Sequence, residues 1–396
     1  MSVSIALWIA LFVAALNPSP WSTQVSTLLH PSSWSRPQQQ LTSVLPQPVQ
    51  GCQDVKRVSK LEPREQAAIV SLVREKDLDE LVETLHNFEQ RFNKWFRYPY
   101  VMIASPDEGH LSLKFRQTIE QALPSEAIVE YSVVRDQDWK IPDWMEEQQV
   151  RMGFEKQEKQ GVMYAGREGY HHMCRFFSGL WVRNEALLKY NWTWRLEPGV
   201  RFHCDITYDP FRFMAANSKV YGFVITIVEN MNTIPTLFKS VMDYVGSRAL
   251  KPESALWRFM VERKEREGQE EFNGCHFWTN FEIADLRFFR SAEYQEFFRH
   301  LDEAGGFYAE RWGDAPVRAL GLALLTSMDR IHYFEDFAYQ HDWFMHCPKP
   351  KGLGCNCQCP AYSKDPLPKN ELTDVDTDWR FSCLHRWKDA VTMALA

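Results

Sequence analysis

No phosphate-cradling loop occurs in this sequence. It contains neither GxxxxGK[ST] nor a GxGxxG after an apolar stretch, so any bound nucleotide must have its phosphates neutralised in another way. A divalent metal held by carboxylates and imidazole is the obvious substitute. Excess positive charge is missing too. The formal net charge is −7, which excludes a general nucleic-acid binder with a basic face. No Lys or Arg precedes Arg36, so loop charge gives no orientation for an amino-terminal segment. There is no C-x2-C pair of the kind that holds structural zinc, and no internal repeat. The apolar run Val3 to Leu16 is short of the roughly 20 residues of a full membrane span.

That run fits the core of a signal peptide or a short signal-anchor. The stretch from Ser19 to Gln50, rich in Pro, Ser, Gln and Thr, buries too little apolar surface to fold. The organisation read from this is a leader or anchor over residues 1–18, a stem over 19–52, and one large folded domain over 53–396 with a loop-rich tail from about Cys347. The 396 residues suffice for one large domain, and an aromatic content of 14%, with 15 Trp and 26 Phe, supports a thick core and aromatic-lined clefts. After an export signal the nine cysteines read as a disulfide framework with at least one thiol left over. The Cys355-x-Cys357-x-Cys359 cluster also admits a metal reading. The single sequon, Asn191-Trp192-Thr193, lies in an aromatic segment and is expected to be buried and unused.

Along the domain, Asp77 is placed to cap a helix carrying Leu78, Leu81, Val82, Leu85, Phe88 and Phe92. Tyr100 to Ala104 reads as a first buried strand. Trp144 to Gln160 reads as helix, and Gly179 to Val182, Tyr190 to Leu196 and Tyr221 to Val228 as strands. Ile234 to Tyr244 and Lys251 to Gln269 read as helices, Ala319 to Leu325 as an apolar helix, and Ile331 to Phe334 as a short strand. Such alternation predicts an α/β sandwich with a mixed central sheet.

The most informative stretch is Tyr190 to Met214. It sets Glu197, Asp205, Asp209 and His203 among Trp192, Trp194, Phe202, Tyr208, Phe211 and Phe213. Carboxylates rarely enter such surroundings unless paired or metal-bound, so the pattern points to a site. On pattern alone Glu197 also suits an ion pair with Arg195 or Arg201, His341 a hydrogen-bonded core histidine, and Glu282 a partner for Arg287 or Arg290.

Several blocks together resemble the fungal Golgi α-1,2-mannosyltransferases of glycosyltransferase family 15. They are EQRFNKWFRYPYV (Glu89 to Val101), GYHHMCRFFSG (Gly169 to Gly179), WRLEPGVRFHCDITYDPFRFM (Trp194 to Met214), YGFVITIVENMNTIPTLF (Tyr221 to Phe238), CHFWTNFEIADLRFFRS (Cys275 to Ser291), GGFYAERWGDAPVRALGLALL (Gly305 to Leu325) and IHYFEDFAYQH (Ile331 to His341). The resemblance implies a GT-A-like single domain, GDP-mannose as donor, Mn²⁺ as cofactor and a mannose-terminated glycan as acceptor. It also implies a retaining reaction and a Golgi membrane protein with a lumenal catalytic domain.

By the same resemblance Glu197 and His341 are the metal ligands, and Glu282 is the carboxylate at the sugar carbon, as nucleophile or as charge stabiliser. Tyr170 is a reaction-centre tyrosine in a positioning role, since a phenol near its ordinary pKa of about 10 is a poor nucleophile. Arg195 is expected to contact GDP, Asp205 to hold ribose or mannose hydroxyls, and Asp314 to grip a mannose hydroxyl beside Trp312. Asp285 is expected to be structural, and at least one of His171 and His172 to be packing. Family members often carry Asp where this chain has Thr207. That departure motivates an alternative: a non-catalytic, mannan-binding or scaffolding paralogue of the same fold.

Overall fold

The computed structural model describes residues 51–263, 269–363 and 371–395. The amino-terminal apolar run and the stem fall outside them. Among the described residues no helix is long and apolar enough to cross a membrane.

A seven-stranded sheet organises the domain. Its strands are β1 (Ala67–Val73), β2 (Tyr100–Ala104), β3 (Val129–Val133), β4 (Trp192–Leu196), β5 (Tyr221–Phe223), β6 (Phe281–Asp285) and β7 (Ile331–Tyr333), in the order β7-β5-β6-β4-β1-β2-β3. All neighbouring pairs are parallel except those made by β6, which runs against both β4 and β5. The mixed sheet and its flanking helices match the sandwich expected from the sequence. β1, β2, β4 and β6 are almost wholly buried, as continuous apolar strands covered on both faces must be.

The aromatic richness goes into the core. Trp194 on β4 packs against the rings of Phe88, Phe92, Phe202, Phe211, Phe281 and Phe337 at centroid distances of 5.0 to 6.2 Å. Most of these contacts are edge-on or tilted, the preferred aromatic geometries.

One strand was missed and four local expectations need correcting. β1, which lies between β4 and β2 inside the sheet, went unread although AAIVSLV is an apolar run. Gly179 to Val182 is helical, because Phe176–Leu180 and Trp181–Arg183 continue the helix Glu168–Arg175; a fully buried apolar run carries no periodicity to choose helix or strand. A Cβ at Gly179 would meet the Phe298 ring at 2.2 Å, so glycine there is a packing requirement. Tyr221 to Val228 splits: Thr226–Val228 leaves the main sheet to pair with Cys275–Phe277. Among the described residues of Lys251 to Gln269 the helix covers only Ala255–Met260, after which Val261–Arg263 pairs antiparallel with Glu270–Phe272. Asp77 precedes the helix Leu78–Phe88, but its carboxylate is taken by Arg74 at 2.6 Å and does not cap it.

Disulfides staple the tail to the body: Cys52–Cys355, Cys204–Cys357, Cys275–Cys383 and Cys347–Cys359, with Cys174 free and buried. All three clustered cysteines are consumed, which removes the metal reading of that cluster. Cys275–Cys383 closes a loop of 108 positions, and its removal from the unfolded chain's constraints costs about 2–5 kcal/mol. The paired change Cys275→Ser with Cys383→Ser is accordingly expected to lower the thermal midpoint by several degrees, measured by calorimetry against the parent chain.

Candidate active site

The chain bends sharply where β4 ends. After Leu196 come Glu197, Pro198 and Gly199, and Gly199 sits at φ +86°, a conformation that disfavours any side chain. The bend delivers Arg201–Phe202 as a short strand against Tyr339–Gln340, and Tyr339–His341 pairs in turn with Phe344–His346. This second sheet carries His341 to the end of β4. His341 Nε2 lies 3.5 Å from Glu197 Oε2, while the other carboxylate oxygen is held by Arg195. Glu197 remains 26% exposed.

Burial alone would raise the Glu197 carboxyl, but Arg195 and then His341 outweigh it and hold it at about 2. Burial alone would lower the His341 imidazole; Glu197, with Asp342 beyond it, raises it instead. His341 Nδ1 is buried and makes no hydrogen bond, with Asp342 Oδ2 3.4 Å away but out of alignment.

Arg195 is the hub of the charge network. Beyond Glu197 it donates to Asp314 Oδ2 at 2.7 Å and lies over the Phe177 ring at 3.7 Å. The antiparallel register sets Glu282 of β6 directly opposite Arg195 of β4. Asp314 opens the helix Asp314–Leu325, and one turn on Arg318 donates to Glu282 Oε1 at 2.7 Å. This last pair is sealed, with Arg318 0% and Glu282 1% exposed. The guanidinium stacks on the rings of Phe289 and Trp181 at 4.4 and 4.7 Å. Glu282 Oε2 has no hydrogen-bond partner, nor do Arg318 Nε and Nη2 or the nearby Tyr221 hydroxyl. Burial pushes the Glu282 carboxyl up to about 6, even against Arg318 and Arg195.

Thus the sequence-predicted Glu197, His341, Arg195 and Glu282 come together as one chain of alternating charge, and Asp314 joins it. The anticipated partners of Glu282 are occupied elsewhere: Arg287 pairs with Asp285, and Arg290 donates to the carbonyls of Val182, Tyr190 and Leu187. Asp285 also caps the helix Leu286–Phe289, the structural role expected of it. Arg318 was missed. Its signal was present: Asp314 and Arg318 stand four apart on the apolar helix DAPVRALGLALL, and charges at that spacing share one face.

A cavity of about 300 Å³ adjoins His341, lined by Glu80, Glu83, Thr84, the bend Pro198 to Arg201, and Asp342. It does not reach Glu282.

Other candidates stand apart. Asp205 accepts from Arg91 at 2.8 Å and from Asn356 at 2.9 Å, partners outside the charge chain, beside a second cavity that includes Thr207 and Trp95. Thr207 accepts from the Gln53 amide at 2.9 Å. Asp209 caps the helix Pro210–Ala216 and accepts from the Tyr98 hydroxyl. Tyr170 lies under the Arg311 guanidinium at 5.4 Å and against Tyr164 at 4.9 Å, and burial raises its phenol well above the tyrosine range, which disfavours a phenolate nucleophile. His171 bonds the carbonyls of Phe307 and Ala165, and His172 the Tyr308 hydroxyl; both are packing groups.

Comparison with known proteins adds to this geometry. The family described as glycolipid 2-alpha-mannosyltransferase matches residues 31–391. The O-glycoside alpha-1,2-mannosyltransferase homolog 4 of Schizosaccharomyces pombe is 36% identical over 375 residues, covering 86% of this chain and 81% of its own. The mannosyltransferase Ktr4p from S. cerevisiae, solved in complex with GDP, is 33% identical with a TM-score of 0.74, covering 86% of this chain and 85% of its own. Core-mannan synthase A from Aspergillus fumigatus, solved in its Mn/GDP form, is 29% identical with a TM-score of 0.74, covering 88% and 92%.

Proposed function

This chain belongs to the glycolipid 2-alpha-mannosyltransferase family, glycosyltransferase family 15, and on that premise we propose that it is a Mn²⁺-dependent, retaining α-1,2-mannosyltransferase. It moves mannose from GDP-mannose to a mannose-terminated glycan in the Golgi lumen, anchored through its amino-terminal segment. The single observation carrying this reading is the Glu197–His341 pair, joined through Arg195 to the buried Glu282. The related structures with GDP and with Mn/GDP support the donor and the ion, and the four disulfides suit an oxidising lumen.

The residues fit a divalent ion. Glu197 and His341, 3.5 Å apart, would hold it, with diphosphate and water supplying the other donors. A carboxylate already ionised and a partly exposed imidazole form the O/N donor set that suits Mn²⁺. When bound, such an ion supplies Lewis-acid stabilisation of charge developing on the leaving diphosphate.

The rest is the work of this chain's own side chains. Arg195, fixed by Asp314, keeps the Glu197 carboxylate ionised and oriented. Arg318 donates to Oε1 of Glu282, and Oε2, which has no hydrogen-bond partner, is the oxygen left for the sugar carbon in this reading. With the carboxylate shut off from solvent, donor binding has to open the way to it. Tyr170 positions substrate as a neutral hydroxyl.

The direct test is incubation of the protein with GDP-mannose, Mn²⁺ and α-methyl mannoside. GDP release with an α-1,2-linked disaccharide, assigned by NMR, is the expected result; neither product forming favours the non-catalytic alternative. A pH prediction accompanies it. Glu282 acts as the carboxylate, and burial raises its carboxyl to about 6, so the fraction in the active form grows as pH rises through that value. Turnover under saturating donor and ion is expected to be half-maximal near pH 6 and to fall about tenfold per unit below it. An acid limb centred near the ordinary glutamate value instead would rule out the buried group.

A further inference from the structure

His346 is a buried side chain whose two ring nitrogens both face acceptors. It ends the strand Phe344–His346 and is 2% exposed. Nδ1 lies 2.6 Å from Asp376 Oδ2, and Nε2 lies 3.0 Å from the Glu335 carbonyl oxygen. A carbonyl and an ionised carboxylate accept hydrogen bonds and donate none, while a neutral imidazole carries a proton on only one of its nitrogens. Both bonds therefore form only when an extra proton is held between His346 and Asp376, as an imidazolium facing a carboxylate. The Tyr333 hydroxyl stands further off, 3.4 Å from Nδ1.

These two bonds join three segments next to the candidate metal ligand. Glu335 lies on the turn between β7 and the strand Tyr339–His341. Phe344–His346 pairs with that strand and sets Phe344 opposite His341. Asp376 follows Thr373–Asp374, which adds parallel to Phe344–His346; the Thr373 amide donates to the Trp343 carbonyl at 2.6 Å and the Val375 amide to the Met345 carbonyl at 3.2 Å. Other titratable groups face the pair: Tyr333, Glu335 and Asp336 from β7 and its turn, and Asp374 and Tyr362 from the tail. Lys349 donates to Asp374 at 2.5 Å, and Lys388 lies 3.5 Å from Glu335. The hydroxyl of Tyr339, the cross-strand neighbour of His346, is committed to Asn280. Burial alone would lower the His346 imidazole, but Asp376 and the Glu335 carbonyl outweigh it and raise it.

We propose that His346 and Asp376 are a positioning pair, in which one shared proton braces the tail and the turn against the hairpin that carries His341, so that losing it in alkaline solution loosens the ion site. This deepens the mannosyltransferase reading, and its link to the ion rests on that reading. A histidine raised by folding stabilises the fold fully below its ordinary value of about 6.5, and that contribution is lost as pH rises through the folded-state value. Cys275–Cys383 and Cys347–Cys359 still tie the tail, so the loss is one of local order and not of the fold.

Asp376→Asn separates the proton from the bond. Its amide donates to Nδ1 of a neutral imidazole while Nε2 donates to Glu335, so both bonds persist without the extra proton. The full chain and this variant are compared from about pH 6 to about pH 8.5, a range that spans histidine titration. The readouts are Mn²⁺ titration by calorimetry in the presence of GDP, and kcat/KM for GDP-mannose at limiting Mn²⁺. The ratio of variant to parent cancels the titration of groups both share, His341 and Glu282 among them. That ratio is expected to lie within about twofold of unity near pH 6 and to reach about tenfold in the variant's favour near pH 8.5, the size of a hydrogen bond to a charged group, with kcat at saturating ion retained. Asp336, which burial raises to about 7, titrates in the same range, and Asp336→Asn is expected to leave the parent's pH dependence in place. Nitrogen NMR of the histidine-labelled parent, with His346 assigned by its absence in His346→Gln, is expected to show both ring nitrogens protonated near pH 6.5 and one released above it. A neutral ring at that pH overturns the proposal whether or not Asp376→Asn folds. So does a flat ratio, a loss in the variant that is equal at every pH, or an Asp336→Asn variant that gives the same gain. A chain that binds Mn²⁺ but transfers no mannose sinks the functional reading while the ion titrations and the ring protonation still decide the brace; transfer with a flat ratio sinks the brace alone.

Discussion

Glu282→Gln is expected to reduce turnover by about a thousandfold or more while GDP-mannose still binds, the size of effect typical of losing a group that acts on the reacting atoms. The amide keeps the shape of the carboxyl but cannot share positive charge with the sugar ring. The substitution has a second consequence, because Arg318 is fully buried and Glu282 is its charged partner. Breaking a buried pair by neutralising one member costs about 3–5 kcal/mol, so lost stability could imitate lost chemistry. The design therefore includes Glu282→Gln with Arg318→Met, which removes the stranded charge. The double variant is expected to recover the thermal midpoint and not the turnover. A stable, donor-binding double variant turning over within tenfold of the parent would falsify the role given to Glu282.

The second large effect is expected at the ion. A unit charge about 4 Å from a developing charge is worth about 4 kcal/mol at an effective dielectric near 20, which corresponds to roughly a thousandfold in rate. Chelation is therefore expected to suppress transfer by about that factor, with Mn²⁺ restoring it. Glu197→Ala and His341→Ala each remove one of only two candidate ligands. Each is expected to raise the Mn²⁺ concentration for half-saturation about a hundredfold. Calorimetric titration of Mn²⁺ in the presence of GDP checks this independently of turnover. Arg195 stays paired with Asp314 in Glu197→Ala, so that variant is expected to fold. Identical Mn²⁺ titrations for parent and variants would place the ion elsewhere.

Much of the fold was readable because burial leaves a local trace. β2, β4 and β7, the helices ending near Lys159 and Leu325, and the disulfide character of the tail follow from apolar runs, spacing and cysteine number. Readability failed where an apolar segment is buried on every side. Gly179 to Val182 and the break within Tyr221 to Val228 depend on what packs against them: the Phe298 ring against Gly179, and the Cys275–Phe277 strand that draws Thr226–Val228 out of the main sheet. The same holds at the site. Glu197 stood out by residue type among aromatics and Glu282 and His341 through the family resemblance, whereas Arg318 gained its importance only from the partner it meets.

The sequence by itself determined the family, the export-type cysteine usage and the residue types proposed to hold a metal and face a sugar carbon, since these are properties of local order and composition. Tertiary structure alone decided which charges meet. The antiparallel run of β6 sets Glu282 against Arg195, and the bend at Gly199 and the second sheet bring His341 onto Glu197. It also withdrew Asp205 to Arg91 and Asn356. Side chains far apart along the chain become neighbours only through strand register and loop closure, and neither is encoded at any one position.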